Sequence, residues 1–265
     1  AFDLKGLVAL ACEADCIVEL VPQVGDFVAV GSPLFRIFGG KAGPSARALC
    51  QSIALGQERT MEQDPSFAFR IIVDIASKAL SPAINDPTTA VLAIDQLHHL
   101  LRSVGSRHLD EGRAHDTSGT LRLVYRTPDW EDFVYLAVTE IRQFGGTSIQ
   151  VARRLRAMLE NLAEVLPPER TSLLRSELAL LQRSTSRFFQ DPEDQALADI
   201  SDLQGVGGNR SGASGLPRLC TLRMALRPAT SGLSTPTWRS KRPGRSRAGS
   251  STSGRLVAAT TMTFV

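Results

Sequence analysis

The residues whose types and spacing carry the most chemistry lie between Arg59 and Thr89: Arg59, Glu62, Asp64, Arg70, Asp74, Asn85, Asp86, Thr88 and Thr89. Carboxylates interleaved with arginines, an amide and two hydroxyls have two uses. They make a ligand site when their polar atoms converge on a shared space, and a satisfied network when they converge on one another. The run Asp86-Pro87-Thr88-Thr89 poses that choice most sharply. A helix opening there presents unpaired N–H groups and the positive end of its dipole, which can hold an anion with Arg59 or Arg70 as counter-charge. The Asp86 carboxylate competes for the same donors. The expectation is therefore a capped elbow that sets the angle between two helices, and the alternative is a small-ligand or anion-binding sensor, or a hydrolase, at residues 82–89. Asp95, His98 and His99 form a second grouping of D-x-x-H type. Two ligands on one helix do not complete a metal site, and the chain has neither H-E-x-x-H nor a cysteine cluster to supply the rest. No metal, cofactor or catalytic residue is expected.

The elements that must position these groups read as a helical hairpin over residues 62–104. Asp64-Pro65 and Asp86-Pro87 each pair an N-cap carboxylate with proline at the first helical position, where its missing N–H costs nothing. Phe69, Ile72, Val73, Ala76 and Leu80 form an apolar stripe of helical period on the first helix. Arg70, Asp74 and Lys78 repeat every four residues on another face, as a ladder of ion pairs worth roughly 0.2–0.5 kcal/mol each.

The run RTMEQDPSFAFRIIVDIASKALSPAINDPTTA resembles the signature of a bacterial family of predicted membrane proteins, domain of unknown function 2254. The upstream VELVPQVGDFVAVGSPLFRI and the downstream helices resemble the same family, to about residue 195. Members carry transmembrane helices ahead of the matching part. The resemblance thus implies a soluble domain of a membrane protein in the bacterial inner membrane, on its cytoplasmic side, with a structural or interaction role. The implied partner is the membrane, through helices missing from this chain; homo-oligomer formation is left open, and the family supplies no ligand or mechanism.

Charge divides the chain. Residues 1–204 hold 20 Lys and Arg against 27 Asp and Glu, a balance of −7, whereas residues 205–265 hold 10 Lys and Arg and no acid. The basic pI belongs to the tail, which is Gly-, Ser- and Arg-rich and aperiodic, so it reads as disordered and as consistent with a shifted reading frame. Its few aromatics, Trp238 and Phe264, give no base-stacking platform, and no nucleic-acid partner is expected. The four cysteines lack metal-pair spacing and read as reduced thiols. No apolar run reaches the roughly 18 residues of a membrane span, and the opening Ala1-Phe2-Asp3 reads as the interior of a longer protein.

In order, Asp3 caps a short helix, and three strands are expected at 16–21, 27–30 and 34–38. Their V-G-D-x-V-x-x-G-x-P-L-F pattern resembles half of a biotinyl or lipoyl carrier hammerhead. A carrier needs a lysine at its hairpin tip, and none lies between Lys5 and Lys41, so the unit reads as structural. Gly39–Pro44 lacks the lysine-hydroxyl pair of a phosphate loop. Ser45 caps a helix ending at Gly56, residues 105–119 read as a mobile connection, and residues 121–125 as a strand able to join the early unit. Three further helices are expected after Asp129, after Thr147 or Ser148, and from Glu169 to Phe189. The fold class is α+β, mainly α: a helical bundle with a small N-terminal three-stranded hammerhead-like β unit. The expected domains are 1–44, 45–204 and the tail 205–265.

Overall fold

The computed structural model describes residues 1–208 apart from Lys41 and Glu62. The elements run α1 (Leu4–Glu13), β1 (Cys16–Leu20), β2 (Phe35–Gly39), α2 (Ala46–Gln51), α3 (Pro65–Ala79), α4 (Pro87–Gly105), β3 (Arg113–His115), β4 (Leu121–Tyr125), α5 (Trp130–Phe144), α6 (Ile149–Val165), α7 (Pro168–Phe188) and α8 (Pro192–Ala198). The fold is α+β and mainly α, as the sequence predicts. Six of its caps are those the sequence marks: Asp3, Ser45, Asp64, Asp86, Asp129 and Ser148 each accept a backbone N–H of the helix they open, while α8 and its cap Asp191 were not expected. At α5 the cap is reciprocal, because Asp132 returns a bond to the Asp129 N–H. Each such cap satisfies donors that the first helical turn cannot pair internally.

The β unit differs from expectation. It is a four-stranded sheet in the order β2-β1-β4-β3. β1 and β2 form an antiparallel hairpin, β1 and β4 are parallel with Val18 opposite Leu123, and β3 runs antiparallel to β4. Residues 27–30, expected as the middle strand, form none. The reason lies in the ladder and the turns: β1 already has a partner on each side, while Asp26 N–H donates to Gln23 and Ser32 N–H to Ala29, closing the chain into turns on both sides of Phe27. Phe27 is left 91% exposed. The connection 105–119, expected to be mobile throughout, contributes β3 instead. Gly112 makes that possible, since at φ +71° its amide oxygen takes the Tyr125 N–H, and a Cβ there would overlap the Tyr125 carbonyl. The second helix is also shorter than expected, ending at Gln51, after which Ile53 bridges to Phe2.

Two apolar cores result. Leu7 and Ala11 of α1 cover Val18, Leu20, Leu123 and Tyr125 on one face of the sheet, with Leu49 of α2 beside them. The larger core joins α3 to α7. Phe69 meets Phe133 with ring centroids 5.1 Å apart, Ile94, Leu97 and Leu101 of α4 face Leu155, Leu159 and Leu162 of α6, and Leu174 and Leu181 of α7 close the layer. Burying side chains of this size contributes about 1.5–3 kcal/mol each before chain entropy is subtracted. Trp130 adds a polar tie, its indole N–H donating to the Arg170 carbonyl at 3.1 Å.

At the centre lies α6, where every residue from Val151 to Leu159 is buried. Its apolar stripe, Val151, Leu155, Met158 and Leu162, is buried, whereas Val165 at its end is exposed. Its other face carries Arg153, Arg154 and Arg156, and these are covered as well, by α4 on one side and by residues 199–208 on the other. Arg153 donates to the carbonyls of Ile200, Gly207 and Gly208 at 2.9–3.2 Å, Arg156 pairs with Asp199, and Asp202 folds its own strap by accepting the N–H groups of Gln204, Gly205 and Gly207. Of the expected tail, residues 209–265 lie outside the described residues. We expect a chain ending at Ala198 to melt below one ending at Gly208. The lost bonds to charged donors are worth about 1–3 kcal/mol, or at least about 2–4 °C in a chain of this size. Equal melting temperatures by differential scanning calorimetry would show that the strap does not hold α6.

Candidate functional site

The structure separates the candidate residues into three places. Asp64 caps α3 and Asp86 caps α4, so the two carboxylates stand at opposite ends of the fifteen-residue α3, about 22 Å of helix apart. Arg59 lies with Asp64, in the segment leading into α3, and lines the same cavity. Arg70 and Asp74 lie midway. Asn85, Asp86, Thr88 and Thr89 make the elbow. Glu62 is outside the described residues.

At the elbow the donors are taken. Asp86 accepts the Thr89 N–H at 3.1 Å through one oxygen and the Thr89 hydroxyl at 2.5 Å through the other. These bonds, the hydroxyl's first, hold the Asp86 carboxyl below the usual carboxylate range. The Asp86 N–H donates to the Ala79 carbonyl, and the Asn85 N–H to Ser81, both at 2.8 Å. Asn85 takes the left-handed conformation, φ +45°, that the reversal between the two helices requires and that asparagine tolerates better than most side chains. Every one of these bonds is local to the elbow.

Arg70 does not reach the elbow. It pairs with Asp74 on its own helix and crosses to α5, where both Glu140 oxygens accept from its guanidinium. Those partners, Glu140 first, raise the Arg70 pKa, and Arg70 in turn lowers that of Glu140. The expected ladder therefore stops after one rung: Asp74 is held by Arg70 and makes no ion pair with Lys78. A single sequence shows the i,i+4 spacing of Arg70 and Asp74 but cannot show that Glu140 will lie across from them.

The D-x-x-H grouping is likewise turned inward, onto α6. Asp95 accepts from Arg154 Nε at 2.5 Å. Arg154 also donates to His98 Nδ1 at 3.3 Å, which makes Nδ1 the acceptor and places the ring proton on Nε2, 2.9 Å from Asn161 Oδ1. Both ring nitrogens are engaged. His99 stacks near His98, with centroids 6.4 Å apart. Among the described residues no group of three or more His, Cys, Asp and Glu could hold a metal ion. The arginines of α6 are what the sequence reading missed. Their only signal was the count, three arginines in four residues on a helix whose other face is apolar, which reads equally well as a solvated face.

One open cavity stands out, of about 440 Å³, between the β1–β2 connection and the segment from Ile53 to Asp64. Arg59 and Asp64 are the candidate residues that line it.

The profile of the family described as predicted membrane protein (DUF2254) matches residues 1–161. The chain belongs to this family. It is similar to the uncharacterised proteins Rv1290c of Mycobacterium tuberculosis and Mb1321c of Mycobacterium bovis, each 30% identical over 202 residues. The match takes in 74% of this chain and 39% of each relative, so the chain spans about two fifths of the length of the curated relatives it matches. No solved structure matches it. No helix among the described residues is long and apolar enough to cross a membrane.

Two outcomes follow from this geometry. Asp86→Ala should cost about 0.5–2 kcal/mol in urea unfolding, and Asp86→Asn should recover most of it because its side-chain oxygen caps equally well; equal losses would contradict capping. His98 is held neutral, its pKa lowered chiefly by burial and further by Arg154, His99 and Arg102, against the raising effect of Asn161. Asp95, the carboxylate facing this group, is bound to Arg154. The unfolded chain then binds the proton more readily, so stability is full above the unfolded His pKa and falls as pH drops below about 6.5. Between about pH 7.5 and 5.5, wild type should lose more melting temperature than His98→Gln; parallel losses would exclude His98 as the cause.

Proposed function

We propose that this chain is the non-membrane domain of a bacterial membrane protein, placed on the cytoplasmic side of the inner membrane and acting through structure and contacts, without catalysis. The observation that carries the reading is the closed elbow. Asp86 occupies the N–H groups that an anion would need, and the groups most able to act as acid, base or counter-charge, Arg70, Asp74, Glu140, Asp95 and His98, are each engaged with another protein side chain. A sensor or hydrolase reading of residues 82–89 needs those donors free.

Membrane attachment is supported by membership of a predicted membrane protein family and by relatives of which this chain spans about two fifths, so the spans would be supplied by the remainder of the protein. The side of the membrane is supported by the thiols. Among the described residues Cys12, Cys16 and Cys50 form no disulfide, and Cys50 is exposed on α2, a state at home in a reducing compartment. In cells producing the complete protein in a Cys220→Ser background, a membrane-impermeant maleimide should label Cys50 only after the membrane is opened, with the protein in the membrane fraction. Labelling of intact cells would reverse the assigned side, and recovery of the complete protein in the soluble fraction would remove the membrane reading.

A further inference from the structure

The sheet ends on an edge with which no strand among the described residues pairs. β2 lies outermost in the order β2-β1-β4-β3, and among the described residues no backbone hydrogen bond beyond its ladder with β1 involves residues 35–39. The phase of that ladder decides which groups face outward. Val21 N–H donates to the Leu34 carbonyl at 3.0 Å, so the opposed pairs that exchange bonds are Val21 with Leu34, Glu19 with Arg36 and Ile17 with Phe38. The N–H and C=O groups of Phe35, Ile37 and Gly39 therefore point away from β1. Edge strands are commonly blunted by lysine, proline or a bulge. β2 has none of these, and its one charge, Arg36, is paired with Glu19 at 3.3 Å. Its apolar side chains stand open on both faces. Ile37, opposite Val18 on the face that α1 covers, is 41% exposed because the core stops at this edge, and Phe38 on the other face is 52% exposed.

We propose that β2 pairs with β2 of a second copy of this chain, antiparallel about a two-fold axis between the two Ile37 residues, so that four strands from each copy form one continuous sheet. The register follows from which groups are free. Setting Ile37 opposite Ile37 of the second copy and Phe35 opposite its Gly39 joins outward groups to outward groups and uses the whole strand. The side chains agree on both faces. On the α1 side the two isoleucines meet and each Phe35 ring has room over a glycine, which continues the small core across the axis. On the other side each Arg36 stands opposite Phe38 of the second copy, a cation against an aromatic ring, and no like charges face each other. An axis at Arg36 would oppose two guanidinium groups and bring Pro33, which has no N–H, opposite Gly39. The edge is thus complementary to itself, as a two-fold contact requires. This pairing does not rest on the membrane reading.

The test joins sedimentation equilibrium of the whole chain to amide hydrogen exchange read by NMR. One short strand buries less than a standard interface, so the dissociation constant should be on the order of 100 µM and the range to cover is about 10 µM to about 1 mM. Across it the mass should rise from one chain towards two. The Ile37 amide should exchange about threefold more slowly at the concentrated end, whereas the amides of Arg36 and Phe38, bonded to β1 in either state, should change little. Ile37→Pro removes only an N–H that points outward, so that variant should fold and keep the mass of one chain throughout. A single-chain mass for wild type over the whole range, a dimer in which Ile37 exchanges no more slowly, or a folded Ile37→Pro variant that associates like wild type would each overturn the proposal. So would an Ile37 amide protected at every concentration in a single chain, which would give the edge to residues 209–265. Should the proline variant fail to fold, the exchange of Ile37 in wild type still decides.

Discussion

The burial of Arg153 is the constraint on which the arrangement of this domain turns. A guanidinium in the interior is tolerated only when its donors are met, since an unpaired buried charge costs several kcal/mol. Here three backbone carbonyls from beyond α8 meet it, and they can do so only because Asp202 curls residues 202–207 into a loop that points Gly207 and Gly208 back at α6. Arg154 repeats the device with Asp95, and Arg156 does so in part, pairing with Asp199 through Nη2 while its buried Nε has no partner among the described residues. The central helix thus packs its leucines on α4 and α7, adds one ion pair to α4 through Arg154 and Asp95, and turns Arg153 and Arg156 to the segment after α8. Its position follows from both faces being covered.

This explains which parts of the molecule could be read from the sequence. Helix starts were legible because capping is a local event: Asp64, Asp86, Asp129 and Ser148 act on residues two or three positions away, and after Asp64 and Asp86 a proline at the next position fixes the direction of the chain. Apolar stripes were legible for the same reason. Interactions across the bundle were not. Nothing near Arg70 announces Glu140, and nothing near Arg153 announces Gly207, because the partners meet only when α3 packs on α5 and the strap returns to α6.

The sheet shows the intermediate case. Residues 16–20, 35–39 and 121–125 have strand composition and become strands, with the last pairing with the first as its pattern allowed. Val28 to Val30 have the same composition and form none. β-propensity describes a fit to a pleated, half-buried surface, and the surface beside β1 was already occupied by β2 and β4. The candidate site divides likewise. Of the polar residues from Arg59 to Thr89, Asp64, Arg70, Asp74, Asp86 and Thr89 bond to neighbours whereas Arg59 lines the cavity, and what each meets depends on α3 being long enough to hold its two ends apart.

The parallel pairing of β1 with β4 has a kinetic side. Val18 finds its partner Leu123 across 105 residues of chain, and all of α2, α3 and α4 lie within that loop. Contacts of such separation are slow to form, because loop-closure entropy is lost before any pairing rewards it. During synthesis at about 5–20 residues per second, β1 and β2 would wait for several seconds as an unsupported hairpin until β4 leaves the ribosome. Through that interval Val18 and Leu20 remain without the strand that buries them, so the N-terminal half of this domain is the part most exposed to chaperones and proteases at birth.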